Sequence, residues 1–277
     1  MRYTIQTMGT MPAMCADQKC GPWAYTREYF VRLPTPYDST KAYPIVFEGP
    51  GCGGKGTNLF NLPVATANSV ITIGLSPSAD AQAFHATNPG QGCFDDMDGD
   101  NSVDWPFYEA LYDLLATQVC FDRNRVFAAG NSSGGRLANE LGCKYAGDAL
   151  RPVRGVMSNA AGLPTQTRYA PTCSTKPMAG IWLGQVNDQS YPFSETIYSL
   201  NRALGVTTCS GGRTYDTAQF VPFALGGSAS PTACKAVMGC PANTPLVVCP
   251  LPGQGHGSDV STVTQAWAAF LGAFPAP

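Results

Sequence analysis

The sequence predicts an α/β fold: a mostly parallel central sheet flanked by helices. Three observations carry that expectation. Short apolar runs rich in β-branched residues alternate along the chain with longer stretches of helical period, the order that gives parallel strands joined by helical crossovers. Glycine-rich turns stand directly after two of the apolar runs. The chain has 277 residues, 44% of them hydrophobic, enough to fill one large core, so a single domain spanning residues 1–277 is expected.

Taken in order, the first strand pattern covers residues 29–33. The second, 44–47, leads into the glycine-rich stretch GPGCGGKG that begins at Gly49. Residues 70–75 (VITIGL) read as a short buried strand. A helix fits residues 106–119, with Phe107, Ala110, Leu111, Leu114 and Leu115 on one face and a proline at its first position, where no N–H is missed. Residues 125–129 (RVFAA) form the next strand, followed by a tight turn over 130–135 and a helix with Leu137, Leu141 and Tyr145 one turn apart. Strands are expected at 153–158 and 178–183, and a helix at 194–204. Residues 205–244, rich in Gly, Ser, Thr, Pro and Cys, read as a disulfide-pinned insertion. A last strand (LVVC, 246–249) precedes a helix capped by Asp259, in which Val260, Val263, Trp267, Phe270 and Leu271 share a face.

Composition narrows the function. Charged residues make up only 13% of the chain and the net charge is -2, which offers no basic surface for nucleic acid. No run approaches the ~18 apolar residues of a membrane span, so no membrane partner is expected. Eleven cysteines are scattered without a C-x-x-C pair, and there are two histidines. That pattern fits structural disulfides in an oxidising compartment better than a metal site, and a secreted protein, extracellular or periplasmic, is expected. The odd count leaves at least one thiol outside intrachain pairs. Cys15 and Cys20 stand close enough in sequence to close a small loop. The first residues lack a basic start followed by an apolar run, so Met1 reads as the start of a mature chain. A monomer without metal or cofactor is expected.

The chemistry centres on Gly130-Asn131-Ser132-Ser133-Gly134, which matches G-x-S-x-G. It follows an apolar strand pattern and opens an amphipathic helix, the strand–turn–helix setting in which a strained turn lifts a serine hydroxyl clear of the sheet. Ser132 is the candidate nucleophile, with Ser133 as the alternative. A serine needs a base. His256, in GQGHG between the last strand and the last helix, follows Ser132, as the order serine, acid, histidine requires. His85 precedes it, in the polar loop AFHATNPG, and reads as a loop residue or the rim of a cleft. Asp188, after the 178–183 strand in LGQVNDQSYP, is the candidate acid; Asp148 and Asp216 are the other aspartates in the window. An oxyanion needs preorganised N–H donors. One is expected from Ser133 and one from the glycine-rich loop after 44–47, where Pro50 has no N–H and Cys52 is preferred to Gly51. GPGCGGKG lacks the spacing of a phosphate-binding loop.

These residues resemble the bacterial feruloyl esterases and polyhydroxybutyrate depolymerase-like esterases of the α/β-hydrolase superfamily. The resemblance is carried by PIVFEGPGCGG, CFDRNRVFAAGNSSGGRLANELGC, WLGQVND and GQGHG. It implies an α/β-hydrolase fold and hydrolysis of carboxylic esters through an acyl-enzyme, without a cofactor, with Ser132, Asp188 and His256 as the triad. Relatives often carry His-Gly where this chain has Glu48-Gly49. A tannase-like branch places cysteines where this chain has Asn131 and Gly257, which disfavours that branch. The leading substrates are feruloyl (hydroxycinnamoyl) or acetyl esters of plant cell-wall polysaccharide. A polyhydroxyalkanoate depolymerase is the alternative, and an inactive hydrolase-fold binding module a further one.

Asp95, Asp96, Asp98, Asp100 and Asp104 crowd into CFDDMDGDNSVDW. The segment reads as a solvated loop, a cleft wall or a calcium site, although it lacks the distal glutamate of a calcium loop. Trp105, Trp182 and Tyr191 are candidate substrate-binding aromatics, with Phe193 alongside; core packing is the alternative for each.

Overall fold

A computed structural model describes residues 2–9, 23–60, 62–77, 92–94, 102, 104–165, 171–210, 212–223, 234–253 and 255–274. The strands are β1 (Arg2–Gly9), β2 (Trp23–Arg32), β3 (Tyr43–Gly49), β4 (Ile71–Leu75), β5 (Phe121–Asn131), β6 (Gly155–Asn159), β7 (Ala179–Gln185), β8 (Phe220–Pro222), β9 (Lys235–Val237) and β10 (Leu246–Leu251). The helices are α1 (Leu62–Ala65), α2 (Asp104–Gln118), α3 (Ser133–Tyr145), α4 (Phe193–Val206) and α5 (Val260–Gly272). All ten strands join one sheet in the order β1-β2-β4-β3-β5-β6-β7-β10-β9-β8. From β4 to β10 the pairing is parallel; antiparallel strands extend both edges.

Strand alternation sorts the core into two layers. Ile45, Phe47, Val126, Ala128, Val156, Trp182 and Val248 face α2, α3 and α4. Val46, Phe127, Met157, Ile181 and Val247 face α5, which returns Val263, Ala266, Trp267 and Phe270. Asp259 caps α5, accepting the Ser261 N–H at 2.8 Å. Val260, the first residue of α5 and expected on its packed face, is instead 61% exposed. The buried stripe of α2 runs through Trp105, Phe107, Tyr108, Leu111, Tyr112 and Leu115. Leu114 packs against the same cluster as expected, while Tyr108 and Tyr112 join the buried face alongside it.

Two regions add strands that the expected pattern lacks, the second of them the disulfide-pinned insertion expected at 205–244. β1 pairs with β2 at the edge of the sheet. Within 205–244, β8 and β9 add an antiparallel ribbon to β10, and Cys209–Cys240 and Cys234–Cys249 fasten it.

The strand order reverses between β3 and β5. β4 lies on one side of β3, while β5, β6, β7 and β10 succeed one another on the other. The crevice beyond the carboxyl ends at such a switch point is where open α/β sheets place ligands. Here Gly49 pairs with Gly130, so the loop after β3 and the turn after β5 emerge side by side.

Candidate active site

Ser132 sits between β5 and α3 with φ 55° and ψ -124°, a left-handed conformation that costs a non-glycine residue on the order of 1–3 kcal/mol. The surroundings hold it there. Its N–H donates to the Asn159 carbonyl at 3.0 Å, and the next turn is anchored by Gly134 N–H to the Pro50 carbonyl at 3.0 Å. The two glycines of the motif are required by close approach: a Cβ on Gly130 would strike Gly134, and one on Gly134 would strike the Gly49 carbonyl. Ser132 occupies the N-cap of α3, yet its hydroxyl makes no capping bond. It is left free to point at the base.

That base is His256. Its Nε2 lies 2.8 Å from Ser132 Oγ, and its Nδ1 lies 2.8 Å from Asp188 Oδ2. The Asp188 side chain is 1% exposed. Its other oxygen, Oδ1, accepts the N–H groups of Ser190 at 2.8 Å and Tyr191 at 3.1 Å, so both oxygens of a buried carboxylate are satisfied. Gln185, the last residue of β7, brackets the histidine. Its Oε1 accepts the Gly255 N–H at 2.8 Å, and its Nε2 donates to the Gly257 carbonyl at 2.6 Å.

The amides beside Ser132 sort by use. Ser132 N–H and Gly134 N–H are engaged, whereas Ser133 N–H, at the first position of α3, has no partner among the described residues. It points out of the positive end of a helix. Opposite it, the N–H groups of Gly51 and Cys52 are likewise without partners among the described residues. A Cβ on Gly51 would lie 3.2 Å from Ser132 Cβ, so this loop lies directly against the Ser132 side chain. Cys52–Cys93 and the Gly53 N–H to Gly92 carbonyl bond at 3.1 Å pin it from outside. From below, Glu48 accepts the Phe60 N–H at 2.6 Å. Burial pushes the Glu48 carboxyl up to about 8, against the pull of that N–H and of Arg32. A hydroxyl, a base, an oriented carboxylate and free N–H donors on two sides can perform acyl transfer.

No family model matches the chain. Similar curated proteins do. A probable feruloyl esterase C of Aspergillus niger is 27% identical over 188 residues, covering 66% of this chain and 63% of that protein. The feruloyl esterase C of Emericella nidulans is 29% identical over the same shares. A probable feruloyl esterase C of Aspergillus clavatus is 31% identical over 173 residues, 61% of this chain and 57% of the relative. The chain thus spans less than two thirds of the length of these relatives. Among solved structures, an acetyl xylan esterase from Aspergillus awamori superposes with TM-score 0.55 at 16% identity, covering 97% of this chain and 99% of that one. The ferulic acid esterase of Anaeromyces mucronatus gives 0.51 at 14% identity, covering 97% and 90%. This is an α/β-hydrolase fold.

Within the hydrolase fold the remaining candidates separate. Ser133 is fully buried. Asp148 accepts the N–H groups of Leu150 and Arg151 beyond α3, and Asp216 caps a short 3₁₀ turn; neither meets His256. Trp182, expected on the substrate wall, is 0% exposed. Alternation along β7 turns it toward α3, where its Nε1 donates to Asn139 Oδ1 at 2.7 Å. Trp105 is likewise enclosed, with Lys144 Nζ 3.5 Å from its ring centroid. Both are corrected from substrate contacts to core residues. Asp104 is buried in an ion pair with Arg27, which removes it from any cation site; Asp95, Asp96, Asp98 and Asp100, with His85, Cys15 and Cys20, lie outside the described residues. Tyr191 does reach the site, against His256. Three residues escaped the sequence reading: Gln185, Arg136 and Asn159. Each acts through amide or guanidinium bonds that no spacing announces.

Proposed function

We propose that the chain is a serine carboxylic-ester hydrolase that works through an acyl-enzyme and releases feruloyl or related hydroxycinnamoyl groups from plant cell-wall polysaccharide. The observation that carries this reading is the hydrogen-bonded line Ser132–His256–Asp188. As Ser132 Oγ attacks the ester carbonyl, His256 Nε2 takes its proton and then delivers it to the leaving alcohol. Asp188 holds the imidazole tautomer with Nδ1 protonated. The N–H of Ser133 and one from the Gly51–Cys52 loop receive the oxyanion, each worth roughly 3–4 kcal/mol. Water then repeats the sequence to free the acid. The names of the similar curated proteins support the feruloyl assignment. Disulfides among the described residues support an exported enzyme.

A panel of methyl ferulate, acetylated xylan, short p-nitrophenyl esters and a polyhydroxybutyrate film tests the reading. Methyl ferulate turnover is expected to lead. Turnover of the film alone would move the assignment to polyester. Ser132→Ala is expected to abolish hydrolysis with little change in melting temperature; retained turnover overturns the nucleophile.

A further inference from the structure

We infer that Tyr191 is a positioning residue: the His256 imidazole rests against its ring, and Arg136, paired with Glu195, holds that ring in place. The inference deepens the ester-hydrolase reading and rests on it.

The His256 side chain is 31% exposed, so packed core does not hold it on all sides. Its bonds to Asp188 and Ser132 lie along the ring plane. They fix where the two nitrogens stand but only weakly resist rocking about the line between them. A flat neighbour resists that motion. The Tyr191 ring lies 5.6 Å from the imidazole centroid at an interplanar angle of 22°, an offset stack. Its π face also favours the positive charge the imidazole gains when it takes the serine proton.

Two contacts place the Tyr191 ring. Its backbone N–H donates to Asp188 Oδ1 at 3.1 Å, so the turn that orients the acid also launches this side chain. Arg136 Cζ then lies 4.9 Å from the ring centroid. Arg136 is 4% exposed, and its Nη2 pairs with Glu195 Oε2 at 2.6 Å. Burying the Arg136 guanidinium is costly, and an apolar side chain of similar volume would fill the space at least as well. What the pair adds is a fixed guanidinium plane on an aromatic face. Arg136 also belongs to the first turn of α3, with its N–H on the Ser132 carbonyl at 2.9 Å. The helix that begins at the nucleophile therefore reaches the base by way of Arg136 and Tyr191.

The test compares Tyr191→Ala, Tyr191→Leu, Tyr191→Phe and Arg136→Met on p-nitrophenyl acetate and methyl ferulate. The downfield Nδ1–H proton resonance of His256 is followed in the free protein and assigned with His256→Ala. Tyr191→Ala and Tyr191→Leu are expected to lower kcat about tenfold on both esters by the same factor, with KM little changed. Both should shift or broaden the resonance. Tyr191→Phe, which keeps the ring face, should restore most of kcat, and Arg136→Met should reproduce a smaller version of the loss. A kcat within about twofold of wild type in the leucine variant overturns the inference. So does a loss confined to KM for the ferulate, which would make Tyr191 a wall for the acyl group. If the wild-type chain hydrolyses neither ester, the ester reading fails, while the resonance comparison still decides the stacking.

Discussion

Asp188 shows how little freedom the site leaves a single side chain. One carboxylate oxygen accepts two turn amides and the other faces His256 Nδ1. In Asp188→Asn the amide oxygen would stay with the turn N–H groups, so the NH2 would face the imidazole and force the wrong tautomer. The expected outcome is a kcat lower by about 10⁴ with the fold intact, measured by kinetics beside a thermal melt; near-normal turnover would remove Asp188 from its role. The juxtaposition of these three residues was legible in the sequence because chemistry restricts the candidates. Two histidines and a required order leave few choices. Trp182 and Trp105 misled for the opposite reason. Closeness in sequence to the acid loop or to Asp104 says nothing about which way a side chain turns, and an indole N–H that finds Asn139 can be buried as readily as exposed.

At the scale of elements, the end of β3 is where a local choice has a measurable consequence. Glu48 is buried beneath the loop it steadies, and burial raises its carboxyl from the ordinary 4.5 to about 8. The folded chain thus holds this proton to higher pH than the unfolded chain does. Its stabilising effect is complete below about 4.5 and is lost as pH rises toward about 8, a change on the order of a few kcal/mol. Glu48→Gln, which stays neutral, should therefore gain melting temperature relative to wild type between pH 5 and pH 8.5. Parallel curves at both pH values would show that Glu48 carries no such proton. Most elements were legible because strands with an apolar face and helices with a stripe declare their periods. The short β8 and β9 were not: three residues each carry too little pattern. The packed face of α2 was legible through Phe107, Leu111 and Leu115, but its tyrosines were not, because tyrosine reads as half polar, while Tyr108 satisfies its hydroxyl on the Arg151 carbonyl at 3.1 Å and goes inside.

Across the whole molecule, the reversal of strand order gathers two loops at one crevice, and disulfides hold the periphery around it. Cys143–Cys173 fastens the far end of α3, and two more clasp the β8–β9 ribbon. Native disulfides stabilise by about 2–4 kcal/mol each, so a reductant should lower the melting temperature by many degrees; an unchanged melt would contradict a disulfide-stabilised fold. Gln185 works differently. It ends a central strand of the parallel core, yet among the described residues its side chain hydrogen-bonds only to the loop that carries His256. Gln185→Leu should leave the sheet, the crosslinks and the melting temperature close to those of wild type while hydrolysis falls, as paired assays of heat and turnover can show. On that outcome durability and competence separate: a variant screened only for surviving heat would pass every test and still have its histidine adrift.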